Sequence, residues 1–243
     1  MKKGYIMPIG EGGVGKTTLA GITDAAVGGN VFKGTTRTTK DSFKDIKLLN
    51  PDLNDLSAVS FSGNNIESKI IDFPGNPSPN QVGQAGGYFN LTDAILYVFS
   101  GDSKEFETSL NSLKNDGKWG TWVDRFNFKG DQKTALYGSK ILTPASIADV
   151  KDGKPLIEES DLELIIGLAK EINSEFIFVG DALGGGNEIS PKPAKLWAYN
   201  GEKLIETSII AAYTVPLIAN FEAKGFTIPD KVSNYVRSLK LSL

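Results

Sequence analysis

The sequence contains neither cysteine nor histidine in 243 residues. Without cysteine the chain has no disulfide framework, no thiolate nucleophile and no zinc site built on sulfur. Without histidine it has no Ser–His–Asp triad and no acid–base step through imidazole. Any chemistry must therefore use hydroxyl, carboxylate, amide, ammonium or guanidinium groups, backbone N–H groups, or a hard metal held by oxygen ligands.

A strong excess of one charge is also missing, since 26 basic and 29 acidic residues give a net charge of −3. This balance predicts no broad basic surface and no nucleic-acid partner. Long apolar runs are missing too: the uncharged stretch 207–221 is too short and too polar to cross a bilayer. With no recognisable signal peptide or lipidation motif, we expect a cytoplasmic protein without an integral membrane segment.

Strand-like apolar runs alternate with helical patterns along the chain, which predicts an α/β fold with a mostly parallel central sheet. The helical patterns cover residues 16–26, 102–113, 160–169 and 230–239. The strand patterns cover residues 5–9, 94–100, 134–137 and 175–179, with hairpins about residues 62–65 and about Asn200-Gly201.

The sharpest motif is a glycine-rich loop, GEGGVGKTT, directly after the first strand pattern and before the first helical pattern. It fits G-x-x-x-x-G-K-[ST], in which glycines let backbone N–H groups approach phosphates closely. The lysine places a charge on the β- and γ-phosphates, and the next hydroxyl ligates Mg²⁺. The predicted phosphate-binding residues here are Gly10, Glu11, Gly12, Gly13, Val14, Gly15, Lys16, Thr17 and Thr18.

A carboxylate follows a second apolar run, in the segment Asp72-Phe-Pro-Gly75. Asp72 is expected at the carboxyl edge of the sheet, where it would hold Mg²⁺ together with Thr17. Gly75 is expected to offer its backbone N–H to a γ-phosphate.

Between the two motifs lies a run of threonines, Thr35, Thr36, Thr38 and Thr39. A hydroxyl from this run, for which we take Thr36, would complete Mg²⁺ coordination when a γ-phosphate is present. Which of the four threonines does so is left open.

Together these residues resemble the Ras-like small GTPases, over roughly residues 1–190. The segment 72–75 followed by Leu-Tyr-Val-Phe resembles the Rag branch, and Gly-Thr-Thr-Arg at 34–37 resembles bacterial Era-type GTPases. The resemblance implies a three-layer P-loop sandwich that binds GTP and GDP with Mg²⁺, hydrolyses GTP and signals to an effector or regulatory protein. We expect a single nucleotide-binding domain over 1–243, with an aromatic insertion at 116–133 and a hairpin and helices at 191–243 packed on it.

The guanine-reading residues implied by the resemblance are degenerate. Ser139 and Lys140 stand where the family has Asn-Lys, but Leu142 replaces the family's aspartate and cannot accept hydrogen bonds from guanine. A later base loop is implied at Asp181, Ala182 and Leu183. We hypothesise that Asp181 supplies the missing carboxylate.

The catalytic residues implied by the resemblance also depart from the family. Asn76 stands where a glutamine orients the attacking water, and its shorter side chain predicts slow hydrolysis. Lys16 stabilises charge on the transferred phosphate, and Arg37 is the candidate for an arginine supplied in cis.

Two other interpretations stay open at this point. A ParA/MinD-like ATPase shares the loop, although Glu11 replaces the lysine typical of that group, so ATP is not excluded as the nucleotide. A nucleotide-binding scaffold or assembly protein without useful turnover would use the aromatic insertion as an interaction surface. A homodimer or heterodimer also stays open.

Overall fold

The structure is a computed structural model, and it describes the strands of one sheet, parts of the glycine-rich loop and three helices. The described residues are 2–10, 14–16, 19, 60–61, 64–70, 92–100, 133–142, 159–181, 196–207 and 211–242.

Eight strands form one sheet in the order β2-β3-β1-β4-β5-β6-β7-β8. The five strands β3, β1, β4, β5 and β6 are parallel, while β2, β7 and β8 are paired antiparallel. The strands are β1 Lys2–Ile9, β2 Ser60–Phe61, β3 Asn64–Ile70, β4 Ala94–Ser100, β5 Lys133–Leu142, β6 Phe176–Asp181, β7 Leu196–Tyr199 and β8 Leu204–Thr207. The mostly parallel arrangement brings the carboxyl ends of five strands to one edge.

The centre of the sheet is buried on both faces. All six residues 94–99 of β4 are fully buried, and side chains alternate between the two faces of a strand. The continuous apolar sequence of β4 therefore reflects cover on both sides, as parallel sheets require.

Three helices are described: α1 (Glu159–Glu171), α2 (Ala211–Ala223) and α3 (Asp230–Leu239). Helix α1 buries Ile165, Leu168 and Ala169, and α3 buries Val232, Val236 and Leu239. Both show the spacing of three and four residues that the sequence predicts for one buried helical face.

Helix α2 covers one face of the sheet and packs on β1, β4 and β5. Every residue from 211 to 221 is buried, so the helix is apolar all round rather than amphipathic. Its side chains share one cluster with Ile6, Leu96 and Phe178 of the sheet. A Cβ on Gly4 would lie 3.0 Å from the ring of Phe221, so a glycine in β1 lets the helix approach closely.

The hairpin between β7 and β8 turns at Asn200-Gly201, as predicted. The Asn200 side-chain oxygen accepts hydrogen bonds from the backbone N–H groups of Glu202 and Lys203, each at 3.0 Å. Gly201 has φ +102°, and a Cβ there would lie 2.4 Å from the carbonyl oxygen of Ser242. The turn and the C-terminal segment thus fit together only with glycine at this position.

The strand and hairpin predictions are confirmed at most positions. The strand predicted at 94–100 has those bounds, and the one at 175–179 is found at Phe176–Asp181. The strand predicted at 134–137 is much longer, at Lys133–Leu142. The hairpin about 62–65 exists as β2 and β3, although β3 already begins at Asn64.

Among the described helices, none is long and apolar enough to span a bilayer.

Candidate functional site

The candidate site lies where β1 ends, at the carboxyl edge of the sheet. Strand β1 pairs with β3 on one side and β4 on the other. The chain leaves β1 toward β2 and β3, whereas it leaves β3 and β4 toward the opposite side of the sheet. Such a reversal of strand order opens a crevice at the strand ends, which is where ligands bind in open α/β sheets.

Lys16 closes the loop that begins at Gly10. Its ammonium Nζ donates a hydrogen bond of 2.8 Å to the carbonyl oxygen of Gly10, although six residues separate the two in sequence. The Lys16 residue is only 5% exposed. The loop therefore holds a positive charge in a restrained position at the end of β1, so little conformational entropy remains to be lost when an anion binds.

Gly10 occupies a position that requires glycine. Its φ is +152°, and a Cβ there would lie 2.1 Å from the carbonyl oxygen of Val98 on β4. The backbone thus leaves β1 in contact with the neighbouring strand. Gly15, the residue before the lysine, also has a positive φ, +98°. Both angles are readily adopted only by glycine, which explains why glycines stand at these two points of the motif.

Two apolar side chains fix the loop to the core. Val14 and Leu19 are both buried, and both belong to the cluster that contains Ile6 of β1 and α2. The backbone N–H of Leu19 donates to the carbonyl of Gly15 at 2.9 Å, which is the bond of an α-helical turn. A helical turn therefore begins at Lys16, where the sequence predicts one.

Three of the predicted base-binding residues lie at the same edge, on β5 and β6. Gly138 is level with Val179, and Leu142 is level with Asp181. Between these two levels the chain advances four residues on β5 but only two on β6, so β5 holds two extra residues in a bulge. Ser139 and Lys140 lie within this bulged segment.

The sequence contained no signal for two of these features. Nothing in the residue pattern indicates that Val98 contributes its carbonyl oxygen to the wall beside Gly10, because this contact depends on strand pairing. The bulge in β5 also has no sequence signal, because the extra residues keep a mixture of apolar and polar side chains that is typical of strands. Burial raises the pKa of Tyr97, which precedes Val98 on β4, above its ordinary value.

Many predicted site residues lie outside the described residues. They are Glu11, Gly12, Gly13, Thr17, Thr18, Thr35, Thr36, Arg37, Thr38, Thr39, Asp72, Gly75, Asn76, Ala182 and Leu183. The predicted magnesium ligands are all in this group, as is nearly all of the aromatic insertion at 116–133. Within the described ranges, no three acidic side chains lie together as metal ligands would.

Comparison with known proteins adds no relative: no protein-family model matches the chain, and a search of curated proteins finds no match either.

Proposed function

We propose that this chain is a GTPase-like molecular switch that binds GTP and GDP with Mg²⁺ and hydrolyses GTP slowly. The observation that carries the proposal is the buried Lys16 ammonium, held 2.8 Å from the Gly10 carbonyl at the carboxyl end of β1. The positive φ of Gly10 and Gly15 supports it, because the motif requires glycine at both positions.

The fold that goes with this function is a three-layer α/β sandwich of the P-loop type. It is supported by the burial of both faces of β4 and by the strand reversal at β1. In this arrangement the hairpin and helices at 191–243 belong to the same domain. We place the protein in the cytoplasm, acting on a protein partner.

Each part of the loop has a role in the proposed reaction. Backbone N–H groups from Gly10 to Thr18 surround the phosphates, and Lys16 stabilises charge that develops on the transferred group. Thr17, Asp72 and Thr36 would hold Mg²⁺, which neutralises charge on the β- and γ-phosphates when bound. Asn76 and Arg37 are the residues assigned to the attacking water and to the transition-state charge.

The switch itself is assigned to the two segments nearest the γ-phosphate. In the triphosphate state, the segments 35–39 and 72–84 would be ordered by the γ-phosphate, with a threonine hydroxyl from 35–39 and Asp72 available to hold Mg²⁺. Hydrolysis removes those contacts and releases the surface that a partner reads.

The test is displacement of a fluorescent guanine nucleotide by GTP, GDP, ATP and ADP, with and without Mg²⁺. We expect guanine nucleotides to bind about tenfold or more tightly than adenine nucleotides, a difference of about 1.4 kcal/mol. Lys16→Ala should weaken all four by at least about tenfold, because the charge that faces the phosphates is lost. Lys203→Ala is the matched control, since Lys203 is exposed on the β7–β8 turn.

Three outcomes decide between the interpretations. Equal or tighter binding of adenine nucleotides would overturn the GTPase proposal in favour of the ATPase or the nucleotide-binding scaffold. If guanine nucleotides bind tightly but no γ-phosphate is released, alone or with candidate partners, the result would favour a nucleotide-binding scaffold over the GTPase. If Lys16→Ala leaves the affinity for every nucleotide unchanged, the chain has no phosphate site at this loop.

A further inference from the structure

We propose that the exposed side of helix α1 is an interaction surface for the same helix of a second copy of this chain. Two copies pair through antiparallel α1 helices, about a two-fold axis near Gly167. The surface consists of Glu163, Leu164, Gly167 and Lys170, which we call the α1 face. The inference goes beyond the proposed nucleotide site and does not depend on it.

The α1 face lies away from the side of the helix that packs into the protein. Helix α1 buries Ile165, Leu168 and Ala169, whereas all four residues of the α1 face are exposed. Glu163 and Lys170 are seven residues apart, which is close to two helical turns, so they return to the same side of the helix. Along the helix axis about 10.5 Å separates them. The α1 face is therefore a continuous strip that a second helix can follow.

An apolar side chain and a gap stand next to each other on the α1 face. Leu164 is 47% exposed. In the described part of the chain the other exposed large apolar side chain is Phe226, whose ring packs edge-on against Phe221 with the ring centroids 5.7 Å apart. A single exposed leucine is common on protein surfaces, but Leu164 lies one turn from Gly167, where a Cβ would meet no atom within 4 Å. The leucine of one copy therefore fits the gap of the other.

The two charges of the α1 face determine which occupant fits it. Neither Glu163 nor Lys170 has an opposite charge three or four positions away in α1, where a helical ion pair would form. Among the described residues neither of them forms an ion pair. In an antiparallel pair of α1 helices centred midway between the two charges, Glu163 of each copy lies beside Lys170 of the other. The α1 face is thus complementary to itself, as a two-fold interface requires.

Gly167 lies close to the centre of this helix pair. It is half a residue from the midpoint of Glu163 and Lys170, so the glycines of the two copies nearly face each other. Helix axes pack about 8–10 Å apart, and small residues at the contact favour the shorter distance. Leu164 of each copy then lies about 3 Å along the axis from the glycine of the other. A contact along one helix is smaller than a standard interface of about 800 Å² per partner, so we expect a weak, salt-sensitive dimer.

The test measures the molar mass of the full chain by sedimentation equilibrium, without nucleotide, from about 1 µM to about 1 mM protein. We expect the mass to rise with concentration from that of one chain towards that of two. Glu163→Lys and Lys170→Glu each place like charges opposite each other twice, so each should weaken the association by about tenfold or more. Leu164→Ala removes the apolar contact without a change of charge and should weaken it by about tenfold.

A mixture of the two charge variants gives the sharpest result. In the mixture, Glu163→Lys supplies two positive charges and Lys170→Glu supplies two negative charges, so both ion pairs form again between unlike chains. We expect the mixture to associate about tenfold or more tightly than either variant alone. Because this association is a gain, a misfolded variant cannot imitate it. Glu202→Lys, exposed on the β7–β8 turn, is the matched control and should associate like the unaltered chain.

Three results would overturn the inference. A mass that stays at one chain up to about 1 mM would leave the α1 face to solvent or to a different protein. Unchanged association of both charge variants would place the contact elsewhere on the molecule. A mixture that associates no more tightly than its components would show that the two charges do not face each other.

The same variants separate association from folding and from nucleotide binding. At about 1 µM, where a weak dimer is dissociated, the free energy of unfolding of each variant should stay close to that of the unaltered chain, because the α1 face is exposed in the monomer. A chain that binds no nucleotide but dimerises as described overturns the proposed function alone. A chain that binds nucleotide and stays monomeric overturns this inference alone.

Discussion

Gly10 shows how much a single residue contributes to the loop. The chain must turn out of β1 while touching the Val98 carbonyl of β4, and it does so with φ +152°. A side chain at this point would collide with backbone, which cannot move aside as the end of a flexible side chain could. Steric constraints within the fold therefore require glycine at this position, independently of any ligand.

Gly10→Ala should lower the free energy of unfolding by about 2–3 kcal/mol, from strain and from the displaced β4 backbone. Urea denaturation measures this change. Gly167→Ala is the matched control, because Gly167 lies in α1 and a Cβ there would meet no atom within 4 Å. This control should raise stability by up to about 1 kcal/mol. Similar shifts in both variants would show that Gly10 is not constrained as described.

For single residues, the sequence predicts well which of them form the loop, but it predicts their contacts with distant strands poorly. Lys16 and the glycines at 10 and 15 follow from the motif, because their roles depend on local backbone geometry. The proximity of Val98 does not follow, since it comes from a strand that is distant in sequence.

Among the secondary-structure elements, helices α2 and α3 are joined by a polar cluster. Glu222 of α2 accepts hydrogen bonds from the Ser233 hydroxyl and from Arg237 of α3, the latter at 2.6 Å. The hydrogen bond from Ser233 and then the nearby Arg237 hold the pKa of Glu222 below its ordinary value, against the opposing effect of burial. The ionised carboxylate thus stabilises the packing of the two helices.

This cluster predicts a pH dependence. Because the folded-state pKa is lowered, the contribution is fully present above the unfolded value of about 4.5 and is lost as pH falls through the folded pKa. Glu222→Gln should therefore flatten the fall in stability below about pH 4.5, measured by urea denaturation at several pH values. Glu163→Gln, exposed on α1, is the control and should leave the acid limb unchanged.

Whole elements were predictable where their residue pattern is distinctive, either periodic or continuously apolar. Helix α3 follows from Val232, Val236 and Leu239, and β4 follows from its apolar run. Helix α2 had no such signal, because its residues are apolar on every side and Pro216 argues against a helix interior. Its helical state depends on burial against the sheet, which local sequence does not express.

In the whole molecule, one edge of the sheet carries the candidate site and the other carries contacts that stabilise the fold. The carboxyl edge holds Lys16, whereas the amino edge is tied together by Asp93, which precedes β4. Asp93 accepts a hydrogen bond of 3.0 Å from the Tyr5 backbone N–H and forms an ion pair of 2.9 Å with Lys224 after α2. It therefore links β1, β4 and α2 far from the loop.

Asp93→Ala should lower the free energy of unfolding by about 1–3 kcal/mol, mainly because the Tyr5 N–H loses its partner. Nucleotide affinity at the opposite edge should be unchanged. Lys16→Ala should show the reverse, a loss of affinity with little loss of stability. Parallel urea denaturation and nucleotide titration of both variants check this, and a loss of affinity in Asp93→Ala would contradict the separation.

The packing of Phe221 against Gly4 has a consequence for the order of events during synthesis. The strand that carries the loop leaves the ribosome before the helix that covers it, since Phe221 follows Gly4 by about 217 residues. At about 5–20 residues per second, this interval lasts roughly 10–40 s. Throughout this interval the apolar side of β1 has no α2 to pack against, so β1 stays uncovered on that side until residues 211–223 have been synthesised.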